Sequence, residues 1–476
     1  MKKWLILLLF VGPLCHAQSA TIDWSTVHQQ IDGFGASVTH LHTDLNATQQ
    51  SILFGTGNGD LGFSLLRIGI CNGDEDCASG SSCTTVNSGC AGLYSSDAAA
   101  IVSNGGRVYA SAFSPPAAYT TNGSTECASG SGSGQLATAD YGAFATWISN
   151  WVQSVHTYYS GNPTVYAISI QNEPDYCAPY DSAIYNASQF DSFIKNNLGP
   201  TFQSNGVTTL IFAPETGHYG ELSSYGGTCA SDSSCNNYVG GFNFHDYDAY
   251  VSNYVTTPDP YPFGAPAKKY WETEASCGAG LDNFCSNAFD PSMTNALNWA
   301  SVIDQRMQDG VQAWLYWWAT LNSNIGEALI CTVPACGTLD ANGEMIAPRA
   351  YVLGQYARFV RPGYYRIDAT HVPQSGISVS AYQDVPTGHL VIIATNYTGS
   401  AVTQAFSLVN APAFTSVTPY ITSTSQGIQA QTAQPVSSNS FSYTLSAYSV
   451  TTFVGASSSS TSQNPAAPTG LSATVN

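Results

Sequence analysis

Two glutamates carry the residue type and the surroundings for acid–base and covalent chemistry. Glu173 lies in "YAISIQNEPDY", where a β-type alternation from Tyr166 runs into Asn172, Glu173 and Pro174. Pro174 stops the strand pattern and biases Glu173 toward an extended conformation. Asn172 and Glu173 are therefore expected where a strand gives way to a loop. Glu274 lies in "KKYWETEAS", near the C-terminal end of a second strand. Glu272, two residues earlier, is expected on the same strand face, one layer deeper. Two carboxyl groups held about 5–5.5 Å apart can cleave a glycosidic bond with retention, one attacking the anomeric carbon and the other protonating the leaving oxygen. In that chemistry Glu274 is the ionised nucleophile. Glu173 is the acid/base, kept protonated by the carboxyl beside it. The alternative is a pair of unrelated surface or ion-paired glutamates.

Such a pair needs a scaffold that brings two strand ends together. Eight short β-like runs alternate with helical patterns: Ile31–Ala36, Ser64–Ile70, Val108–Ala112, Val165–Gln171, Thr209–Ala213, Gly241–His245, Lys269–Glu274 and Val311–Trp318. The clearest helix places Phe144, Trp147, Ile148, Trp151, Val152 and Val155 on one face, with Asp140 as its N-cap. Leu297, Val302 and Met307 lie in a second. Eight strands alternating with helices imply an α/β fold, a (β/α)₈ TIM barrel, over 31–360. Glu173 and Glu274 then end the fourth and seventh barrel strands, at the C-terminal mouth where such enzymes hold their sites.

From Tyr364 onward the pattern becomes all-β. Runs at Ile377–Tyr382, His389–Thr395, Ala405–Leu408, Val417–Thr422, Ser440–Leu445 and Val450–Val454 imply a side β-sandwich domain over 361–455. The segment 18–30 is expected to add a strand to it. A Ser-rich linker follows at 456–467, and the tail 468–476 reads as the incomplete start of a fibronectin type III-like module.

Composition narrows the classes of function. Lys2 and Lys3 precede the apolar run Trp4–Val11, with a cleavage site after Ala17, so 1–17 reads as an export signal. The run is too short to span a bilayer, and a secreted monomer is expected. Of 13 cysteines, 12 remain once Cys15 leaves with the signal. With no CxxC pair, disulfides are expected rather than a metal site, and close spacing suggests Cys229–Cys235, Cys277–Cys285 and Cys331–Cys336. A net charge of −19 with only 12 Lys+Arg argues against nucleic acid and anionic membranes as partners. Charged residues make up 9% and aromatic residues 12%. That balance suits a polysaccharide, whose sugars have apolar faces and hydroxylated rims. No cofactor motif stands in the right context: "GNGDLG", Gly57 to Gly62, precedes a strand instead of opening a helix. The acidic "NGDEDC" reads as a solvated loop.

Six segments in order, "QIDGFGAS", "LGFSLLRIGI", "YASAFSPPAAY", "YAISIQNEPDY", "YWETEAS" and "YARFVRPGYYRIDAT", resemble glycoside hydrolase family 30. Within it the likeness is to the bacterial glucuronoxylan-type endo-xylanases, and it runs from about Ile31 to Val454. The resemblance implies a retaining mechanism on a barrel with a side β-sandwich, with Glu173 as acid/base and Glu274 as nucleophile. It further implies that Asn172 holds the sugar 2-hydroxyl, Arg67 keeps Glu274 ionised, and Tyr247 bonds the nucleophile or the sugar. His245 ends the sixth strand beside Tyr247. Phe113 stands where the xylanases carry Trp and is expected to be a smaller stacking platform. Of Trp317 and Trp318, the second is expected to stack beneath the sugar.

One departure stands out. The glucuronoxylan-type enzymes carry arginine after the eighth strand to grip a glucuronic acid branch. Here that segment holds no Arg or Lys before Arg349. The expected activity is therefore xylan cleavage without a need for such branches. Other family specificities (β-1,6-glucan, β-1,6-galactan, xylobiose release from chain ends) and a non-catalytic carbohydrate-binding role are the alternatives.

Overall fold

Each of the eight apolar runs forms a strand. The structure, a computed structural model, describes residues 19–41, 43–70, 84–86, 88–128, 133–158, 165–247, 268–277 and 286–457. The export signal, the "NGDEDC" loop and the 468–476 tail lie outside them. After β1 (Ala20–Gln30), the barrel strands are β2 (Gly33–Ser37), β3 (Leu65–Ile70), β4 (Arg107–Ala112), β5 (Ala167–Ser169), β6 (Leu210–Thr216), β7 (Val239–His245), β8 (Lys269–Ala275) and β9 (Ala313–Leu321). All are parallel, neighbours pair in chain order, and β9 pairs with both β8 and β2, which closes the barrel. Parallel strands covered on both faces need continuous apolar sequence, and that is why these runs were readable.

Leu65, Tyr109, Ala167, Phe212, Trp271, Ala313 and Leu315 fill the barrel interior below its mouth. The outer faces pack on helices such as Tyr141–Tyr158, which buries Phe144, Trp147, Ile148, Trp151, Val152 and Val155. Asp140 does not cap that helix as expected; it closes a 3₁₀ turn, Thr138–Asp140, that runs into it. At Gly35 in β2, a Cβ would fall 1.8 Å from the Leu65 carbonyl oxygen. Only glycine allows β2 and β3 to approach so closely there.

Beyond β9, two short strands extend the sheet: β10 (Ala328–Cys331) runs parallel to the end of β9, and β11 (Met345–Ile346) pairs with β10. The side domain contains β12 (Tyr365–Ala369), β13 (Ile377–Asp384), β14 (His389–Asn396), β15 (Val402–Val409), β16 (Phe414–Ser423), β17 (Gln426–Ala430), β18 (Gln434–Pro435), β19 (Ser440–Leu445) and β20 (Ser449–Ser457). Their order is β17-β16-β20-β14-β13-β12-β1-β15-β19, with β18 on β16. β1 thus sits inside this sheet, antiparallel to β12 and parallel to β15. The sheet folds over itself: Phe406 of β15 and Phe441 of β19 pack on Phe453 of β20 at ring distances of 5.1 and 5.3 Å.

The opposite face of β14 and β20 packs on the barrel through helix Pro348–Ala357 and helix Met293–Gln308. Gln355 of the first donates to Thr422 Oγ1 at 2.9 Å. At the second, His371 Nε2 lies 2.7 Å from Asp304 Oδ2. The hydrogen bond to Asp304 raises the His371 pKa, with burial and Arg366 opposing and the Asp304 charge assisting. A raised pKa means the contact stabilises fully below about pH 6.5 and fades as pH rises through the folded value. His371→Asn should therefore lower Tm by about 1–2 °C at pH 5.5, since a third-exposed pair contributes little. That deficit should vanish by pH 9 in thermal melts.

Candidate active site

The site is assembled at the C-terminal ends of β3, β5, β6, β7, β8 and β9. Arg67 on β3 is wholly buried at its centre. Its Nη1 donates to Glu274 Oε2, its Nη2 to Asn172 Oδ1 at 2.7 Å, and its Nε to Ser111 Oγ at 3.1 Å. Nη2 also lies 3.2 Å from Glu215 Oε1. The guanidinium rests over the rings of Phe113 and Trp317, 5.3 and 5.1 Å from their centroids. Every donor edge thus faces an acceptor and its faces meet aromatic rings. This is how a buried cation avoids the cost of desolvation.

Glu173 follows β5. Its backbone N–H donates to Glu215 O at 3.0 Å, and Asn172 N–H donates to Ala112 O at 2.7 Å. Its φ of +46° is left-handed, not extended as the following proline suggests, and Glu215 on β6 shares that region at +60°. For a non-glycine residue this strain costs on the order of 1–3 kcal/mol. The bond between the two backbones offsets it and overrides the local preference set by Pro174. Gly217 leaves room for the Glu173 carboxyl, since a Cβ there would lie 3.2 Å from Oε1.

Glu274 reaches the same space from β8. Tyr247 donates to its Oε1 at 2.7 Å. His245 Nδ1 lies 3.0 Å from Glu173 Oε1 and 3.7 Å from Glu274 Oε1. One donor atom each from Glu173, His245 and Glu274 all lie within 4.8 Å of one another. That spacing is shorter than the about 6.5–9.5 Å an inverting pair needs to admit a water. Burial pushes the Glu274 pKa up, opposed by the charges of His245 and Arg67, and the Glu173 charge adds to the rise. Burial would depress His245, but the Glu274 charge, the hydrogen bond to Glu173 and the Glu215 carboxylate 3.6 Å away outweigh it and push it up to about 10. His245 is thus an imidazolium at neutral pH.

A cationic centre with two carboxyl groups at retaining distance, on the mouth of a (β/α)₈ barrel, can be compared with known proteins. Residues 95–360 match the glycosyl hydrolase family 30 TIM-barrel domain. The chain is 30% identical over 450 residues to glucuronoxylanase XynC of Bacillus subtilis, covering 92% of each. This chain belongs to glycosyl hydrolase family 30. Among solved structures, the subfamily 8 xylanase Xyn30A of Clostridium acetobutylicum superposes with a TM-score of 0.74 at 27% identity, over 92% of this chain and 100% of that one. A family 30 endoxylanase of Clostridium papyrosolvens C71 gives 0.73 at 29%, with the same coverage.

In this family 30 glycoside hydrolase, several residues fall elsewhere than the sequence suggests. Glu272 does not share a face with Glu274. A bulge at Thr273 lets Phe244 pair with Glu272 and His245 with Glu274. Trp271 therefore faces the barrel interior, and Glu272 is buried away from the mouth, accepting from Leu315 N–H at 3.0 Å. Burial and the Asp246 charge raise its pKa well above the carboxylate range. Phe113 is 2% exposed, so its ring supports Arg67 and Trp317 instead of offering a sugar an open face. Trp317, not Trp318, lies on the inward side with Ala313 and Leu315. Trp318 stacks on Trp317 at 4.9 Å and donates its indole N–H to Thr39 O.

Glu215 was not foreseen. Its Oε1 accepts from Tyr109 and Ser111, both at 2.8 Å, and lies 3.6 Å from His245 Nε2. Burial opposes its ionisation, yet Arg67 and His245 hold its pKa at about 2. The signal was present in "FAPET", a third glutamate at the end of a barrel strand. Tyr180, whose hydroxyl lies 3.5 Å from Glu173 Oε2, was also missed.

Disulfides staple both ends of the barrel: Cys127–Cys177 and Cys331–Cys336 lie on the side of the mouth, and Cys229–Cys235 lies at the opposite end, just before β7. Cys229–Cys235 and Cys331–Cys336 are bonded as their spacing suggests. Cys277 is disulfide-bonded, but Cys285 lies outside the described residues. Cys127–Cys177 spans 50 residues and ties the loop after β4 to the loop that carries Glu173.

Proposed function

We propose that this chain is a secreted endo-β-1,4-xylanase that cleaves xylan with retention and without a need for glucuronic acid branches. The Glu274 carboxylate attacks C1 of the sugar while Glu173 gives its proton to the glycosidic oxygen, so the C1–O bond breaks and a glycosyl ester forms. Glu173 then takes a proton from water, the water oxygen attacks C1, and Glu274 leaves. Arg67 and Tyr247 keep one oxygen each of Glu274 in place. The amide nitrogen of Asn172 is left to meet the 2-hydroxyl, because its oxygen is taken by Arg67. Trp317 supports the sugar from the side of β9. Export through the 1–17 segment belongs to the same reading; no helix of the described residues is long and apolar enough to cross a membrane.

One observation carries the specificity. No Lys or Arg stands between Trp318 and Arg349, and Arg349 is buried, bonded to Asp290 O and Asn295 Oδ1. A carboxylate branch there meets no cation and gains no charge-assisted bond. Turnover on glucuronoxylan should therefore change by less than about threefold once the branches are removed, since no bond worth more than ~0.6 kcal/mol is lost. Products from plain xylan and arabinoxylan should match. Activity that vanishes on debranched xylan would refute the specificity, and release of products only from β-1,6-glucan or β-1,6-galactan would refute xylan as the substrate.

A further inference from the structure

Three acidic residues lie between Trp318 and Arg349. Asp340 closes a turn, its Oδ1 accepting from Asn342 N–H at 2.8 Å and from Glu344 N–H at 3.0 Å. Glu344 is buried beside Asn46 and Gln49, at the start of helix Ala47–Phe54. Glu327 differs. It is partly buried, and among the described residues no hydrogen bond or ion pair engages its carboxyl. Its backbone is nevertheless fixed. Trp318 N–H donates to Glu327 O at 3.3 Å, and Gly326 N–H donates to Asn287 O at 2.8 Å. The Tyr316 hydroxyl donates to Gly326 O at 2.8 Å, and Arg349 Nη2 donates to Ala328 O. A carboxyl on so rigid a support, with no partner of its own, is left to meet a ligand.

Two observations put that carboxyl at the mouth. Ala328 pairs with Trp318, so strand alternation sets Glu327 on the face of Trp317. The Glu274 charge also reaches it: burial, and then that charge, raise the Glu327 pKa to about 7. Trp317 packs on Arg67, which bonds Glu274 and Asn172, so this end receives the glycone, the sugars on the side whose C1 is attacked. Among the described residues, the titratable groups facing Glu327 are Glu274 of β8, Tyr316 of β9 and Arg349 of helix Pro348–Ala357. Burial keeps Tyr316 neutral, and Arg349 is already bonded to Ala328 O, Asp290 O and Asn295 Oδ1. We propose that Glu327 is a charge filter on the glycone side, admitting neutral sugars and turning away a uronic acid branch close to the scissile bond. Like charges brought together in a partly buried cleft repel more strongly than they do in water. The proposal deepens the specificity given above and rests on Glu274 being the nucleophile. Turnover on the polymer is little affected, because a chain still binds through its unbranched stretches.

The test uses 4-nitrophenyl xylotrioside, in which every sugar lies on the glycone side. One form is plain, and the other carries a single glucuronic acid branch on the xylose next to the one attacked. The ratio of kcat/KM, branched over plain, cancels changes in the chemistry common to both. In the wild type that ratio should fall by about five- to tenfold between about pH 5.5 and about pH 8. Over this range Glu327 loses its proton and becomes charged, while the uronic acid is ionised throughout. Glu327→Gln should flatten the slope and hold the ratio at its acidic value. Glu327→Asp, which keeps a carboxyl, should restore the fall. A wild-type ratio that does not change with pH, or a fall that survives Glu327→Gln, would overturn the filter and leave cleavage without branches standing. Cleavage of the branched glycoside alone would overturn both. A wild type inactive on both forms would refute the xylan reading instead. The same pair, built on whichever β-glycan is cleaved, would then decide the filter.

Discussion

Glu274→Gln should lower kcat on xylan by about 10⁴-fold or more, because an amide cannot form the covalent ester. Binding should survive. The amide oxygen can still accept from Arg67 or Tyr247, and the shape of the pocket is kept. Titration calorimetry with xylohexaose should give a Kd within about threefold of wild type, the usual scale for a neutral isostere at a satisfied site. A variant that keeps a tenth of its activity would remove Glu274 from the nucleophile role. A protein with no turnover in the wild type, yet with the same binding, would be a carbohydrate-binding scaffold. The pH profile carries a related expectation. Attack requires Glu274 without its proton, and burial raises its pKa. The acidic limb of kcat/KM should therefore lie above the ordinary carboxylate range, with activity falling as pH drops through it.

The charges around Glu274 explain why one carboxylate more than the chemistry requires is present. Arg67 and the His245 imidazolium are two buried cations, and Glu173, Glu215 and Glu274 face them. With only the two reacting groups as partners, each protonation change in the cycle would leave a buried cation short of an anion. In the proposed cycle Glu215 takes no part in the transfer, and its low pKa keeps it ionised. On that reading it holds Arg67 and His245 in place while Glu173 gives up and regains its proton. Its contacts to Tyr109 and Ser111 fix it from below, so the reacting pair rests on a layer that does not titrate near neutrality.

Much of this was legible in the chain. The eight barrel strands could be read because strands covered on both sides must be apolar throughout, and the two key glutamates because each interrupts such a run at its C-terminal end. The errors arose where regular alternation fails. A bulge at Thr273 turned Glu272 away from Glu274, and period-two reasoning has no means of sensing a bulge. Glu173 took a left-handed φ because a tertiary hydrogen bond to Glu215 outweighs the preference before proline. The position of Phe113 in the sequence suggests a platform, whereas in the fold Arg67 lies over its ring. The bond between Cys127 and Cys177 was out of reach because spacing favours only short loops, and this one closes through two neighbouring strands.

Glu173→Gln separates the two half-reactions, and its expected signature differs between substrates. On xylan the leaving oxygen needs a proton, so kcat/KM should fall by about 10²–10⁴-fold. On 2,4-dinitrophenyl xylobioside the leaving group departs without one, so the glycosyl ester on Glu274 should still form at a rate near that of wild type. Hydrolysis of that ester then lacks its base, and product release should show a burst followed by slow turnover. Azide should relieve the stall. It needs no base, and the neutral amide no longer repels an anion that approaches C1. The product should be the β-xylobiosyl azide, formed on the face from which Glu173 delivers water. Retained configuration in that azide, read by proton NMR, identifies Glu173 as the group opposite the nucleophile. Equal loss on both substrates with no response to azide would assign Glu173 a structural role and move the acid to another residue.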